Sequence, residues 1–188
     1  MRESSHSGDS VHRRDSPVRP NLRSTYHGFV KQINEGRWTA DIEGDFVVFM
    51  IGARINPLRA VTALIDLGGR RGLNHMLKYL TEHPEKGLLG YESFGLTTTV
   101  QYWRSFELLE AFAKDESDPH LDPWRKFWKR VGKSGRTGIW HETFLVRAGE
   151  YEAVYGNMPT RGLQKASTAV RVSESSTARS RLKSARSA

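Results

Sequence analysis

The residues best suited to chemistry lie at 97–113, in the run TTTVQYWRSFELLEAFA. A strand-like alternation of side chains passes directly into an amphipathic helix there, and the strand ends in Gln101, Tyr102, Trp103 and Arg104. Polar and aromatic side chains at the end of a strand can shape a pocket and orient a small ligand. We therefore take these four residues as candidate substrate-binding residues.

His120 stands at the head of a second amphipathic segment, in which Trp124 and Phe127 recur at helical spacing. If that helix begins at Asp118–Pro119, His120 lies on the same face as Trp124 and can act as a general base near neutral pH or as an axial haem ligand. If the helix begins only at Asp122, His120 instead caps it or bonds a backbone carbonyl near the surface. We take His120 as a candidate catalytic base and Trp124 as a candidate pocket residue.

His141 and Glu142 lie next to each other in the apolar segment 138–146, so they point to opposite faces of the expected strand. Glu142 shares its face with Trp140 and Phe144. A carboxylate buried among aromatic rings is costly without a partner, so Glu142 should meet an arginine, a water or a substrate proton. Glu142 is a candidate catalytic acid, with an ion pair at a dimer edge as the alternative, and His141 is a candidate substrate-binding residue.

Several classes of site are excluded by what the sequence lacks. With no cysteine, the chain has no disulfide, no thiolate nucleophile and no sulfur ligand for a metal. It contains no glycine-rich phosphate loop, no dinucleotide fingerprint, no serine nucleophile elbow and no histidines paired at one-turn spacing on a helix. We therefore expect no metal site, and an enzyme that relies on substrate positioning and acid–base groups.

The charge divides the chain into three segments. The net charge is +8, but residues 160–188 hold seven basic residues against one acidic, whereas the middle of the chain is neutral. All five tryptophans lie between 37 and 159. We therefore predict a disordered tail over 1–36, a folded domain over 37–159 and a basic disordered tail over 160–188. The tails favour at most weak contact with nucleic acid.

The order of elements in the middle segment predicts an α+β fold. The patterns indicate a strand at 46–55, helical material from Asn56–Pro57 to His83, a hairpin at 87–103, two helices and a last strand at 138–146. The order β-α-β-β-α-β is that of a ferredoxin-like antiparallel sheet, with helices on one face.

The first of these strands predicts a partner. FVVFMIGARI is apolar on both alternations, so both faces of the sheet should be covered. If the tails are disordered, no other element of the chain can cover the open face. We therefore predict a homodimer in which two sheets pack face to face about a twofold axis.

Four stretches resemble a known family: WTADIEGDFVVFMIGARIN at 38–56, the VQYWRSFELLEAFA junction, the series from His120 to Phe127, and GIWHETFLVRAGEYEAVYGNMP at 138–159. The chain resembles a monooxygenase-like subgroup of the dimeric α+β barrel superfamily, related to the antibiotic-biosynthesis monooxygenases. The resemblance implies a small hydrophobic or aromatic substrate held between sheet and helices, with molecular oxygen as co-substrate. It implies no cofactor in the oxygenase members. Haem is the alternative, since a strand-end tryptophan and a later histidine resemble the haem-degrading members.

The expected cellular location follows from the hydropathy of the sequence. The longest apolar run, at 46–53, is far shorter than the ~20 residues of a membrane span, and no secretory signal is evident. We expect a cytoplasmic protein without membrane contact. The leading hypothesis is a cofactor-independent monooxygenase, and the alternative is a non-catalytic or haem-binding dimeric module.

Overall fold

The computed structural model describes residues 32–56, 58, 60–67, 72–115, 129 and 137–185. The predicted helix that contains His120 and Trp124 lies outside these residues. Seven strands are described: β1 Asn34–Asp41, β2 Phe46–Arg54, β3 Leu88–Phe94, β4 Thr98–Trp103, β5 Gly138–Val146, β6 Tyr155–Met158 and β7 Thr168–Arg171. The α-helices are α1 Ala60–Asp66, α2 Leu73–Glu82, α3 Phe106–Lys114 and α4 Ala178–Ala185, with 3-10 helices at Pro84–Lys86 and Gly162–Ala166.

The larger sheet has the predicted ferredoxin-like topology. Its strand order is β3-β4-β2-β5, and all neighbouring strands are antiparallel. Within the β-α-β-β-α-β unit, β2 is the first strand, and this order places it between the third strand, β4, and the fourth strand, β5. The predicted α+β fold is therefore confirmed.

Local signals determine the ends of the elements. The hairpin between β3 and β4 turns at Gly95, whose φ of +67° suits glycine. Helix α3 begins after Ser105, whose hydroxyl accepts a hydrogen bond from the N–H of Leu108 at 3.3 Å. Asn56 likewise accepts from the N–H of Leu58 at 3.0 Å, as expected for a capping residue.

Helices α2 and α3 cover one face of this sheet. Their buried Leu77, Leu80, Leu109 and Phe112 pack against the row formed by Leu88, Trp103 and Val47 on three adjacent strands. Because neighbouring residues of a strand point to opposite faces, odd-numbered residues of β2, β4 and β5 lie on this helix side.

The opposite face is partly covered by the chain itself. Strand β1 lies between β6 and β7 in a second, three-stranded sheet, and the 3-10 helix Gly162–Ala166 sits beside it. Phe46 and Tyr102 of the larger sheet share a core with Ala40, Ile42 and Leu163 of these elements. Strand β2 thus has a buried side chain on each face, Val47 on the helix side and Phe46 on the other. The cover is partial, because Trp140 and Phe144 of the adjacent β5 stay exposed on the second face.

Two predictions about the ends of the domain are therefore corrected. The segment 160–185 holds a 3-10 helix, a strand and a helix, where a disordered tail was expected, and β1 begins before residue 37. The face-to-face dimer was predicted because no element of the chain was expected to cover this face; the second sheet and the 3-10 helix cover it in part, over Phe46 and Tyr102, while Trp140 and Phe144 stay exposed. Dimerisation itself stays a prediction.

Candidate functional site

Three side chains of β4 form a buried polar row on the helix side. Trp103, Gln101 and Thr99 are 0%, 4% and 3% exposed. The indole N–H of Trp103 donates to Oε1 of Gln101 at 3.0 Å, and Nε2 of Gln101 donates to Oγ1 of Thr99 at 3.4 Å. Alternate residues of one strand thus make a continuous hydrogen-bonded chain along the sheet.

The hydrogen bonds of this row all run in one direction. Each member donates towards Thr99, whose oxygen accepts and whose hydroxyl hydrogen is left to donate. Within the described residues the structure records no acceptor for that hydrogen. Because Thr99 is only 3% exposed, its hydroxyl can donate to a ligand only where the ligand reaches into the buried row, and the donors behind it would strengthen that bond by polarisation.

The neighbouring strands extend the polar row into a shelf. Across the sheet, Thr99 aligns with Ile51 and then His141, while Gln101 aligns with Phe49 and then Thr143. Strand spacing puts the Cα atoms of Thr99 and His141 about 10 Å apart. We call these six residues the helix-side shelf.

The shelf is open on its β5 side. His141 and Thr143 are exposed, and the rings of Phe49 and His141 lie 5.5 Å apart between centroids. The shelf therefore combines a buried hydroxyl, the aromatic ring of Phe49 and an exposed imidazole on one face of the sheet. Of the predicted site residues, Gln101 and His141 lie on this face of the sheet, on strands separated by β2.

Trp103 supports the shelf from within the hydrophobic core. Its ring is fully buried and packs against Phe112 with centroids 5.7 Å apart. It has no exposed ring face to offer to a ligand, so its contact with the shelf runs through Gln101. The haem alternative, which combines Trp103 with His120, stays a prediction, since His120 lies outside the described residues.

Tyr102 lies on the opposite face, away from the shelf. Burial, with smaller contributions from nearby Tyr155 and Glu92, raises the pKa of Tyr102 to about 12. The phenol is thus a neutral core residue beneath the 3-10 helix at Gly162. A Cβ at Gly162 would lie 3.5 Å from the hydroxyl oxygens of both tyrosines.

Glu142 and Arg104 are also separated from the shelf. Glu142 is exposed, so the expected cost of burying it among aromatic side chains does not arise; the described residues provide it with no ion pair. Arg104 is exposed and donates to the carbonyl oxygen of Glu43 at 2.6 Å, which stabilises the loop between β1 and β2. His120 and Trp124 lie outside the described residues.

Sequence reasoning missed a second buried polar cluster. Glu92 of β3 accepts from Arg161 at 2.9 Å, from Lys165 at 2.8 Å and from the N–H of Gly162 at 3.3 Å. Burial disfavours its charge, but these hydrogen bonds and the two cations outweigh that cost and lower the pKa of Glu92. The only available signal was that Glu92 is the one charged residue of β3.

The cluster also accounts for part of the basic C-terminal segment. Arg161 and Lys165 neutralise Glu92, Arg181 pairs with Glu152, and the guanidinium of Arg171 lies 5.5 Å from the ring centroid of Trp38. These four of the seven basic side chains in 160–188 make contacts within the chain, which leaves fewer cations for the weak contact with nucleic acid that was expected of the tail.

Within the ranges that the structure describes, no three acidic or histidine side chains are arranged to hold a metal ion. None of their helices has both the length and the apolar character that crossing a bilayer requires.

Comparison with known proteins identifies the family. A sequence profile described as "Monooxygenase af470-like" matches residues 46–163. A curated relative, "Monooxygenase af470" of Aspergillus fumigatus, is 29% identical over 159 residues, which cover 73% of this chain and 55% of the relative. The chain thus spans little more than half the length of that relative. Because the profile match covers more than half of the chain and all four strands of the larger sheet, this chain belongs to the Monooxygenase af470-like family.

Proposed function

We propose that this protein is an oxygenase that binds a small aromatic substrate on the helix-side shelf and uses molecular oxygen as co-substrate. The observation that carries the proposal is the directed hydrogen-bond chain that ends in the hydroxyl of Thr99, on a face shared with Phe49 and His141. Membership of a monooxygenase-like family supports the reaction class.

The shelf suits a phenolic substrate. Phe49 offers an apolar surface for the ring, and the Thr99 hydroxyl donates to the substrate oxygen. That hydrogen bond strengthens as the oxygen gains negative charge on deprotonation, so it stabilises the phenolate more than the phenol. The shelf would thereby favour the electron-rich form that reacts with oxygen.

A base must take the phenolic proton. His141 is exposed at the rim of the shelf, and a histidine is suited to proton transfer near neutral pH. His120, the base favoured by the sequence, remains the second candidate. Separate alanine variants of the two residues distinguish them, because only loss of the base shifts the dependence of kcat on pH.

The substrate can supply every electron that the reaction needs. A phenol with a free para C–H reacts with one molecule of oxygen to give a quinone and water, so one oxygen atom enters the product and the other leaves as water. This stoichiometry requires no flavin, haem or metal. We therefore propose cofactor-independent chemistry, without assigning a particular substrate.

Oxygen uptake against a library of small phenols and quinols tests the proposal. Thr99→Val keeps the shape of the side chain and removes the donor. The loss of a hydrogen bond to a charged group, worth about 1.5–3 kcal/mol, should lower kcat/KM by about 10- to 100-fold. Thr98→Val is the matched control, because Thr98 directly precedes Thr99 in β4 and points to the opposite face of the sheet.

Three results distinguish an oxygenase that acts at the shelf from one that acts elsewhere and from a ligand-binding module. A loss in Thr99→Val with little change in Thr98→Val supports the shelf as the site. Equal activity in both variants would place the chemistry elsewhere. Substrate binding without oxygen uptake, across the whole library, would contradict an oxygenase and favour a ligand-binding module.

A further inference from the structure

One end of the larger sheet carries the three most exposed large apolar side chains of the described residues. Leu96 is 100% exposed in the turn between β3 and β4, and Leu58 is 94% exposed just before α1. Val61 of α1 is 74% exposed. Ile65 of α1 and Phe94, the last residue of β3, are each more than half exposed. We call these five residues the apolar tip.

The members of the apolar tip leave the sheet at the same end. The backbone N–H of Ala53 donates to the carbonyl oxygen of Thr97 at 3.0 Å, so the turn that holds Leu96 lies beside the end of β2. The chain passes in six residues from Arg54, the last residue of β2, to Ala60, the first residue of α1. Six residues span at most about 20 Å, which keeps α1 close to this end of the sheet.

Helix α1 directs its larger apolar side chains away from the core. A surface helix normally turns its apolar residues towards the core and its polar residues towards water. Among the described side chains of α1, the small Ala63 is buried, whereas Val61 and Ile65, one turn apart on the same side, are exposed to solvent. Exposed apolar groups that lie together in this way mark an interaction surface.

The sequence around the apolar tip is basic. The segment 54–71 contains four arginines and one aspartate, a balance of 4 − 1 = +3. The segment 133–137 adds one lysine and one arginine without an acidic residue, and it leads into β5, whose first residue, Gly138, pairs with Arg54. Apolar side chains flanked by cations are typical of a contact with an anionic lipid surface, where the cations attract the headgroups.

The shape of the apolar tip favours a lipid surface over a protein partner. Leu58 and Leu96 have almost no contact with the rest of the chain, so each projects as a separate point. A stable protein interface has a closely packed core of complementary shape. The boundary between headgroups and acyl chains is fluid and accepts separate apolar side chains.

We propose that the apolar tip binds to the surface of anionic membranes, with Leu58 and Leu96 entering the layer beneath the lipid headgroups. Such a contact is peripheral and needs no membrane-spanning helix, so the short apolar runs of the sequence do not argue against it. The contact goes beyond the proposed reaction and does not depend on it, because its test measures binding alone.

A polarity-sensitive dye tests the position of the contact directly. The chain has no cysteine of its own, so a single introduced cysteine carries the label alone. In labelled Leu96→Cys, the dye should pass from water into lipid when vesicles of phosphatidylcholine and phosphatidylserine are added, which shifts its emission to shorter wavelength. Labelled Leu145→Cys is the matched control, because Leu145 is an exposed leucine that pairs with Val47 near the other end of the sheet, and its emission should stay constant.

Co-sedimentation with the same vesicles measures the strength of binding. The double variant Leu58→Ser with Leu96→Ser should lower the partition constant at least about tenfold, because it removes two apolar side chains that leave water on binding. Leu145→Ser should leave the constant unchanged. Wild-type binding should weaken when phosphatidylserine is omitted or the salt concentration is raised, because both changes reduce the attraction between cations and headgroups.

Opposite results would overturn the proposal. One is a wild-type protein that does not bind the vesicles, and another is binding that the double serine variant leaves unchanged, which would assign the contact to the basic C-terminal segment. An emission shift of labelled Leu96→Cys with protein concentration, in the absence of lipid, would instead identify the tip as a protein interface. Circular dichroism checks the fold of each variant, which should be retained because Leu58, Leu96 and Leu145 are exposed.

Discussion

Replacing Glu92 by glutamine should destabilise the protein by separating the C-terminal segment from the larger sheet. The side chain of Glu92 is only 4% exposed and binds two cations of that segment, Arg161 and Lys165. Glutamine has nearly the same shape but no charge. The variant therefore removes both ion pairs and leaves the packing of β3 almost unchanged.

The size of the effect follows from the exposure of the partners. Removing one member of a buried ion pair costs about 3–5 kcal/mol when the other charge stays buried. The side chains of Arg161 and Lys165 are 41% and 30% exposed, so both cations can regain water. We expect a loss of about 2 kcal/mol, which corresponds to a fall in Tm of about 4–8 °C for a chain of this length.

Urea unfolding at several pH values provides the assay. The pKa of Glu92 is lowered in the folded protein, so its contribution is fully present above the ordinary glutamate pKa. That contribution is lost as the pH falls through the lowered folded value, where the folded carboxylate is protonated. The difference between wild type and Glu92→Gln should therefore be largest near neutral pH and shrink in acid.

The control is Glu43→Gln, at an exposed glutamate in the loop before β2. Surface substitutions of this kind usually change stability by less than about 0.5 kcal/mol. A Glu92→Gln variant as stable as Glu43→Gln at pH 7 would refute the reasoning. So would a difference that stays constant as the solution is acidified.

Three further predictions concern the same side of the sheet. In Gly90→Ala the new Cβ would lie 2.5 Å from the carbonyl oxygen of Lys165, so we expect a loss of about 1–3 kcal/mol in urea unfolding; Gly156→Ala, with no atom within 4 Å, is the control and should lose much less. Deleting 160–188 should expose apolar surface, seen as increased binding of a hydrophobic dye and a lower Tm, whereas a disordered tail could be removed without effect. Since the pKa of Tyr102 rises to about 12 on folding, wild-type stability should fall as the pH rises from about 10 towards 12. Tyr102→Phe should show a shallower fall, and an unchanged slope would contradict the raised pKa.

The sequence determined the main elements, because their signals are local. Apolar alternation indicated β2 and β5, and the turn at Gly95 and the cap at Ser105 placed the ends of their neighbours. Once those elements were ordered, few topologies remained, and the ferredoxin-like arrangement followed. The opposite directions of His141 and Glu142 were also predictable, since alternate residues of a strand always face opposite sides.

The second sheet could not be found in this way. Strand β7 is only four residues long, and its partner β1 lies about 130 residues earlier in the chain. Neither strand has a long apolar alternation, and their stability comes from pairing with each other and from packing on Phe46 and Tyr102. Contacts between distant segments leave no periodic signal in either segment.

The candidate site shows the same division. The sequence by itself determined that Gln101 and Trp103 share a face of β4, because that depends only on the strand period. Only the tertiary structure decided that this face meets the helices, that Trp103 is buried in the core, and that His141 comes within two strand spacings of Thr99. The physical reason is that burial and cross-strand register depend on which segments pack together; here short polar segments from the ends of the domain pack over Phe46 and Tyr102, on the face that the sequence had left open.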